Sequence, residues 1–330
     1  MLARHRTARG LRTAALGSPP RRFILMRVAP FSDLHVLALE GVSRSRFLNK
    51  RFTGLVNLRL KREHKHRPGH VRAVAREVAR AKVDHVVITG DLTNLALEQE
   101  FEAVKRLVEE DLGLDAEHVT IVPGNHDLYT RGSMRAQRFT RFFAPYLQSD
   151  LPDLAADIAL GRFPIVKLRG PLAVIGMSSA VPRPPLVASG ELGTKQLEAL
   201  ARILAHDEVK RRTPILALHH PIHNPESRVK TLVEGLVDAN DLEDVIGPLR
   251  SGLLLHGHLH NRMQRAFPTK AGNLLAVGAT SASLHHEDEH RMAGFNLYEF
   301  DGAGDLVDVA AHVFDPGAGS FRIDRVPTWD

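Results

Sequence analysis

At 330 residues, with 43% hydrophobic residues, the chain is long enough to bury a large core and is neither disordered nor of low complexity. It has no cysteine, which excludes disulfide scaffolds, thiolate metal sites and cysteine nucleophiles together. The formal charge of +6 suggests nucleic acid, but residues 1–25 hold Arg4, Arg6, Arg9, Arg12, Arg21 and Arg22 and no acidic residue, so the rest carries 38 basic against 38 acidic side chains. No nucleic-acid partner is therefore expected, and no apolar stretch has the length to cross a bilayer.

The first 25 residues lack the apolar core of a secretory signal, and Pro19-Pro20 break any helix there. They read as a disordered basic extension, with Met26 as an alternative natural start. An apolar run over 23–31 then reads as a buried strand leading into Asp33. Residues 44–67 interleave Phe47, Phe52, Leu55 and Leu58 with Arg46, Lys50, Arg51 and Arg59, the pattern of a partly helical insertion that either packs on the body or meets an anionic membrane.

Pro68 to Lys82 carries Val71, Val74, Ala75 and Val78 at helical spacing, and His85 to Thr89 reads as the next strand, so strand, helix and strand form a βαβ unit. Leu95 to Leu112 predicts an amphipathic helix and Val119 to Val122 a third strand, while 130–165 reads as a helical cap. Further strands are predicted at 172–176, 214–218, 253–255, 273–277, 295–300 and 307–313, with helices at 195–206 and 241–246. Without repeats or a dividing linker, residues 26–330 form a single layered α/β domain, the all-strand tail suggesting a second sheet packed on the first.

Five polar clusters follow these strands in order: Asp33-Leu34-His35, Gly90-Asp91, Gly124-Asn125-His126-Asp127, His219-His220-Pro221 and Gly257-His258-Leu259-His260. If strand ends gather them, they form a cage of carboxylate, amide and imidazole groups, the donor set of a two-metal hydrolytic site holding Mn, Fe or Zn. Asp33 and His35 can reach one ion, Asp91 suits a bridge between two, and Asn125 offers a neutral oxygen that keeps the second ion Lewis-acidic. Gly124 permits close backbone approach, His126 is poised to contact substrate and protonate a leaving group, and His258 and His260 supply one imidazole for each ion.

Order, spacing and strand context are similar to the calcineurin-like metallophosphoesterase family, whose pattern is D-x-H, G-D, G-N-H-D or -E, H and G-H-x-H, over residues 32–261. The resemblance implies a four-layer sandwich of two β-sheets flanked by α-helices. It also implies two divalent ions, one held by Asp33, His35, Asp91 and His260 and the other by Asp91, Asn125, His258 and a histidine of the fourth block. That block is usually His-x-Pro, which points to His219 and leaves His220 as a neighbour; Ile222 stands where a second proline is common. His126 matches the phosphate-contacting histidine, and Asn94, His220 and His223 are assigned to the substrate side.

The activity so implied is phosphodiester hydrolysis by in-line attack of metal-bound hydroxide, as in the bacterial cyclic-nucleotide and glycerophosphodiester branch. The substrate is expected to be nucleotide or lipid-linked, and the protein cytoplasmic, with peripheral contact to an anionic membrane as an option. One alternative is a membrane-associated pyrophosphohydrolase of the UDP-diacylglucosamine type, although members with that activity often carry arginine where this chain has His126. Another is a non-catalytic protein-binding scaffold, disfavoured because every ligand position is filled. Of the other histidines, His64, His66 and His70 are expected on a basic surface stretch, His256 at a strand end and His285, His286 and His290 in a solvated loop.

Overall fold

Short runs of Val, Ile and Leu between polar punctuation settle as strands buried on both faces once helices cover them. In the computed structural model, which describes residues 25–43, 51, 65–184, 186–222 and 228–329, two six-stranded sheets result. The first is built on β1 (Met26–Phe31), β2 (His85–Ile88) and β3 (Val119–Ile121), parallel and adjacent in that order. Three further strands, β12 (Gly294–Phe300), β13 (Leu306–Asp315) and β14 (Ser320–Asp324), extend it antiparallel from β1.

In the second sheet β7 (Leu172–Gly176), β8 (Thr213–Ala217), β9 (Leu253–His256) and β11 (Asn273–Gly278) run parallel. Antiparallel strands β6 (Ile165–Arg169) and β10 (Met263–Pro268) close its edges.

The apolar residues sort into layers. Val28, Val87, Val174, Ile215, Leu255 and Phe300, from both sheets, pack between them. On the outer face of the first sheet lie α1 (Pro68–Arg80) and α2 (Glu98–Arg106), which bury Val71, Val74, Val78, Phe101 and Val104. The second sheet is covered by α5 (Thr194–Ala205), the short α6 (Asp207–Lys210) and α8 (Ala239–Ile246) through Leu197, Leu200, Ile203, Val209, Leu242 and Ile246. Helix, sheet, sheet, helix is the four-layer sandwich. Among the described residues, no helix is long and apolar enough to cross a membrane.

Strand direction gathers the polar clusters. Because β1, β2 and β3 run parallel, as do β8 and β9, their carboxyl ends meet at one rim of the sandwich, and every cluster follows one of those ends.

Four differences from the sequence-based expectations have physical causes. The strand tail, expected to form a second sheet, places β12, β13 and β14 in the first sheet, because β12 pairs with β1; only β11 joins the second, whose core is β7, β8 and β9. Residues 130–165 are helical only in α3 (Arg131–Arg135), α4 (Arg138–Phe142) and two 3₁₀ turns; Ala156–Ile158 and Gly161–Phe163 then pair as β4 and β5. Gly161, at φ 131°, takes a turn conformation that a helix does not offer. The helix predicted from Leu95 starts at Glu98, because Glu100 Oε2 accepts from the backbone N–H groups of Leu95 and Leu97 and holds that segment outside the helix. Strands β6, β10 and β14 escape the sequence reading because each is an edge whose partner, not its composition, makes it a strand.

Most of the basic-apolar stretch, 44–50 and 52–64, lies outside the described residues, as do residues 1–24 of the basic extension and His223. Arg51 turns inward: it is buried, and its guanidinium donates to the carbonyls of Leu95 (2.7 Å) and Ala96 (3.0 Å).

Candidate metal centre

Asp33, His35, Asp91, His258 and His260 all have left-handed backbones, with φ of 54°, 45°, 50°, 68° and 51°. Only nine non-glycine residues do so among those described. Such a conformation costs about 1–2 kcal/mol per residue. It lets each strand end turn sharply, so that alternate residues of the D-x-H and H-x-H clusters face one point.

Glycine permits the remaining crowding. A Cβ on Gly257 would collide with the Ser32 hydroxyl and lie 2.5 Å from Asp33 Oδ2, while one on Gly124 would collide with the backbone nitrogen and carboxylate of Asp91. The loops are also stitched together. Asp127 is buried and accepts from Gly124 N (2.9 Å), Leu92 N (3.2 Å), Thr93 N (2.9 Å) and the Thr93 hydroxyl (3.0 Å). Burial and the nearby Asp91 charge push its carboxyl up to about 7, against the pull of those amides. The sequence reading gave Asp127 no role; its contribution is to lock the second and third clusters together.

Two groups of heteroatoms share Asp91. In the first, His260 Nε2 lies 3.0 Å from Asp33 Oδ1 and 3.1 Å from His35 Nε2, and His35 Nε2 is 4.0 Å from Asp91 Oδ2. In the second, His219 Nε2 lies 3.2 Å from Asn125 Oδ1, 3.3 Å from His258 Nδ1 and 3.4 Å from Asp91 Oδ2.

Protonation is constrained in the second group. A backbone carbonyl only accepts, so His219 Nδ1–H donates to Thr89 O (2.7 Å) and His258 Nε2–H to Glu234 O (2.9 Å). In the neutral tautomers this leaves two imidazole lone pairs, an amide oxygen and a carboxylate oxygen pointing at one another. Such a set repels itself unless a positive charge sits among them.

Charge regulation points the same way. Burial opposes a charged His219, yet the Asp91 carboxylate raises that imidazole to about 9. Burial and the neighbouring His219 push His258 down to about 3. Burial works to raise Asp91, but His219 and His126 outweigh it and hold its carboxyl well below the usual range. Ligand atoms bound at about 2.0–2.2 Å from one ion stand about 3–4 Å apart, which is the spacing found here, so the residues fit a pair of divalent ions.

The remaining predicted residues divide. His126 belongs to the site: its N–H donates to Asp91 Oδ1 (2.8 Å), its ring lies 5.0 Å from that of His35, and its Nδ1–H donates to Asn94 O (2.7 Å). Asn94 is buried beneath it, with its side-chain amide donating to the His35 carbonyl. His220 is also buried, with both ring nitrogens engaged, Nε2 by Ala188 O (2.8 Å) and Nδ1 by Ser179 Oγ (2.8 Å), so His219 is the histidine of that cluster facing Asp91 and Asn125. His256 ends β9 away from these contacts; of the loop histidines expected in solvent, His290 is exposed, while His285 and His286 are half-buried, His285 with its ring 5.5 Å from that of His70.

Two histidines expected on the surface are corrections. His70 is buried in α1, its ring 4.9 Å from that of Phe314. His66 lies with its ring 4.8 Å from that of His35 and 5.7 Å from that of His260. Its neighbours His64 and His70 look alike in sequence, so no local signal singled it out; a bridge to Leu284, distant in sequence, brings it in.

Residues 26–262 match the calcineurin-like phosphoesterase family. The chain belongs to that family. Its members are metal-dependent phosphoester hydrolases with a dinuclear centre, in keeping with the two heteroatom groups. Among solved structures, the fold is similar to a dimetal phosphatase from Danio rerio (TM-score 0.54, 13% identity, 88% of this chain and 99% of that one). It is also similar to a purple acid phosphatase from yellow lupin seeds (TM-score 0.53, 13% identity, 90% of this chain), of which it spans 52%. Both likenesses concern the fold. No curated protein sequence matches this chain.

Gly257→Ala should displace the Asp33 carboxylate and weaken binding of one divalent ion about tenfold or more. Calorimetric titration of the metal-stripped protein with Co²⁺ checks this, and unchanged affinity would refute the packing argument.

Proposed function

We propose that this protein is a phosphodiesterase whose chemistry depends on a pair of divalent cations. Asp33, His35, Asp91 and His260 would hold one and Asp91, Asn125, His219 and His258 the other. The observation that carries this reading is the second heteroatom group, in which backbone carbonyls engage the outer nitrogens of both imidazoles, so that once His219 is neutral only acceptors face inward, toward the place of a positive charge. When bound, such a pair supplies Lewis acidity toward phosphate oxygens and acidifies a water for attack on phosphorus.

The chain's own residues supply positioning and proton transfer. Asp127 and Asn94 hold the loops on which Asp91, His126 and His35 sit, so substrate would meet a rigid rim. In its imidazolium form His126 can give a proton to a departing alkoxide, a need shared by any phosphoester with a poor leaving group. The choice of a diester rests on the likeness of the five clusters to the cyclic-nucleotide and glycerophosphodiester branch.

A second reading has one observation in its favour. Leu259 stands between His258 and His260 and is 43% exposed, and α7 (Arg228–Glu234), whose last carbonyl holds His258, exposes Val229 and Leu232 by 72% and 60%. An apolar rim beside the site suits a lipid-linked pyrophosphate such as UDP-diacylglucosamine.

Asp91→Ala or Asn125→Ala should lower kcat/KM for bis(p-nitrophenyl) phosphate roughly a thousandfold, and wild-type protein should prefer this diester to p-nitrophenyl phosphate. Retained turnover in either variant, or a monoester preference, would count against the assignment. His126→Ala should cost about 10²–10⁴ in kcat for an alkyl leaving group and less for p-nitrophenolate, which departs unaided. Equal losses for both would remove His126 as the acid. For the lipid reading, Leu232→Glu should raise KM for a micellar nucleotide-lipid pyrophosphate while sparing bis(p-nitrophenyl) phosphate; no turnover of the lipid by wild type ends that reading.

A further inference from the structure

We propose that His66 is an additional imidazole ligand of the cation at the Asp33–His35–His260 end of the centre. The inference rests on the dinuclear reading above and adds a residue that lies outside all five sequence clusters.

Ring nitrogens of His35, His66 and His260 all lie within 4.8 Å of one another. Imidazole nitrogens bound at about 2.0–2.1 Å around one ion stand about 3–4 Å apart, so closing the set requires side-chain shifts of under about an ångström. The three rings meet edge to face, with interplanar angles of 74° for His35–His66, 80° for His66–His260 and 66° for His35–His260. This arrangement spreads ring planes around a common point.

His66 is placed by the fold. Arg67 N–H donates to Ser283 O (2.8 Å) and His285 N–H to Lys65 O (2.7 Å), an antiparallel bridge that fixes the backbone on both sides of His66. Its Nδ1 lies 2.7 Å from Ser283 Oγ. Ser281 and Ser283 hydroxyls both reach the Asp33 carbonyl, at 2.6 Å and 3.3 Å, and lie 3.0 Å from each other. With the Ser281 proton on the Asp33 carbonyl and the Ser283 proton on Ser281 Oγ, Ser283 Oγ accepts from His66 Nδ1–H, and Nε2 is the nitrogen that carries the lone pair a cation needs. The serine pair thus supports Asp33 and His66 at once.

The chemistry also has a reason. A site with two carboxylates and two imidazoles suits a hard oxygen-loving ion, and a third imidazole moves its preference toward Fe, Co or Zn.

The test is metal binding by the full chain, stripped with chelator and titrated with Co²⁺. His66→Ala should weaken one of the two cobalt sites about tenfold or more and alter the visible d–d absorption, and His66→Gln should do the same while keeping a polar side chain beside Ser283. Two cobalt ions bound with wild-type affinity and spectrum in these variants overturn the assignment, as does a raised KM with unaltered cobalt binding, which would make His66 a substrate contact. Should both variants misfold, cobalt-loaded wild type decides: the His66 imidazole resonance must be paramagnetically shifted, and a diamagnetic position refutes the proposal. Asp91→Asn separates the two claims. Its failure to lose cobalt sinks the dinuclear centre itself, whereas cobalt lost there and kept in the His66 variants sinks only the added ligand.

Discussion

Buried heteroatoms crowded together and in need of a positive charge among them constrain everything else in this molecule. Around His219 Nε2, the Asn125 Oδ1, His258 Nδ1 and Asp91 Oδ2 atoms lie at 3.2, 3.3 and 3.4 Å, with the tautomers of both imidazoles dictated by backbone carbonyls. Without a metal, a proton on His219, whose imidazole the Asp91 carboxylate raises to about 9, supplies that charge. The backbone that carries these groups is held by two sheets packed through a common apolar layer, so they stay gathered. A cation would displace that proton, which couples metal affinity to pH.

The same logic accounts for the backbone. Five residues of the centre adopt left-handed φ, together a cost of several kcal/mol if each is about 1–2 kcal/mol. The offset comes from parallel strands whose carboxyl ends must all arrive at one rim, and from Asp127, whose four hydrogen bonds tie the loops after β2 and β3. Strain stored on the ligand-bearing turns and stability stored in the sheets are two sides of one arrangement.

Much of this was readable in the chain. The apolar runs ending at Asp33, Asp91 and Asn125 are strands because their residues can only be covered on both faces, and polar residues immediately beyond such strands must emerge at a rim. That reasoning needs only local sequence, and it reached the helices α1 and α5 and the convergence of the clusters; the four-layer sandwich followed from the family resemblance, and the strand tail, expected as the second sheet, mostly extends the first. What it could not reach depends on partners distant in sequence. Strands β6, β10 and β14 are strands because a neighbour pairs with them. Arg51, read as one cation of an insertion that packs on the body or meets an anionic membrane, is buried because the carbonyls of Leu95 and Ala96, exposed by the delayed start of α2, need donors. His66 is indistinguishable from His64 and His70 until a bridge to Leu284 selects it.

The two ends of the centre are chemically unequal, and the inequality arises from which loops carry the donors. The first end takes Asp33 and the shared Asp91, two full negative charges, with imidazoles around them. The second takes only the shared Asp91 as a charge, together with the neutral amide of Asn125 and two imidazoles. A cation at the second end is less neutralised by its surroundings and therefore the stronger Lewis acid toward a phosphate oxygen. His126 sits beside the more anionic end, its N–H on Asp91 and its ring against His35. On the proposed assignment, activation of phosphorus would be favoured on one side and proton delivery on the other, a polarity across the site that a symmetric donor set would lack. The chain builds it by placing a carboxylate after β1 and an amide after β3, one difference in side-chain chemistry at equivalent strand ends.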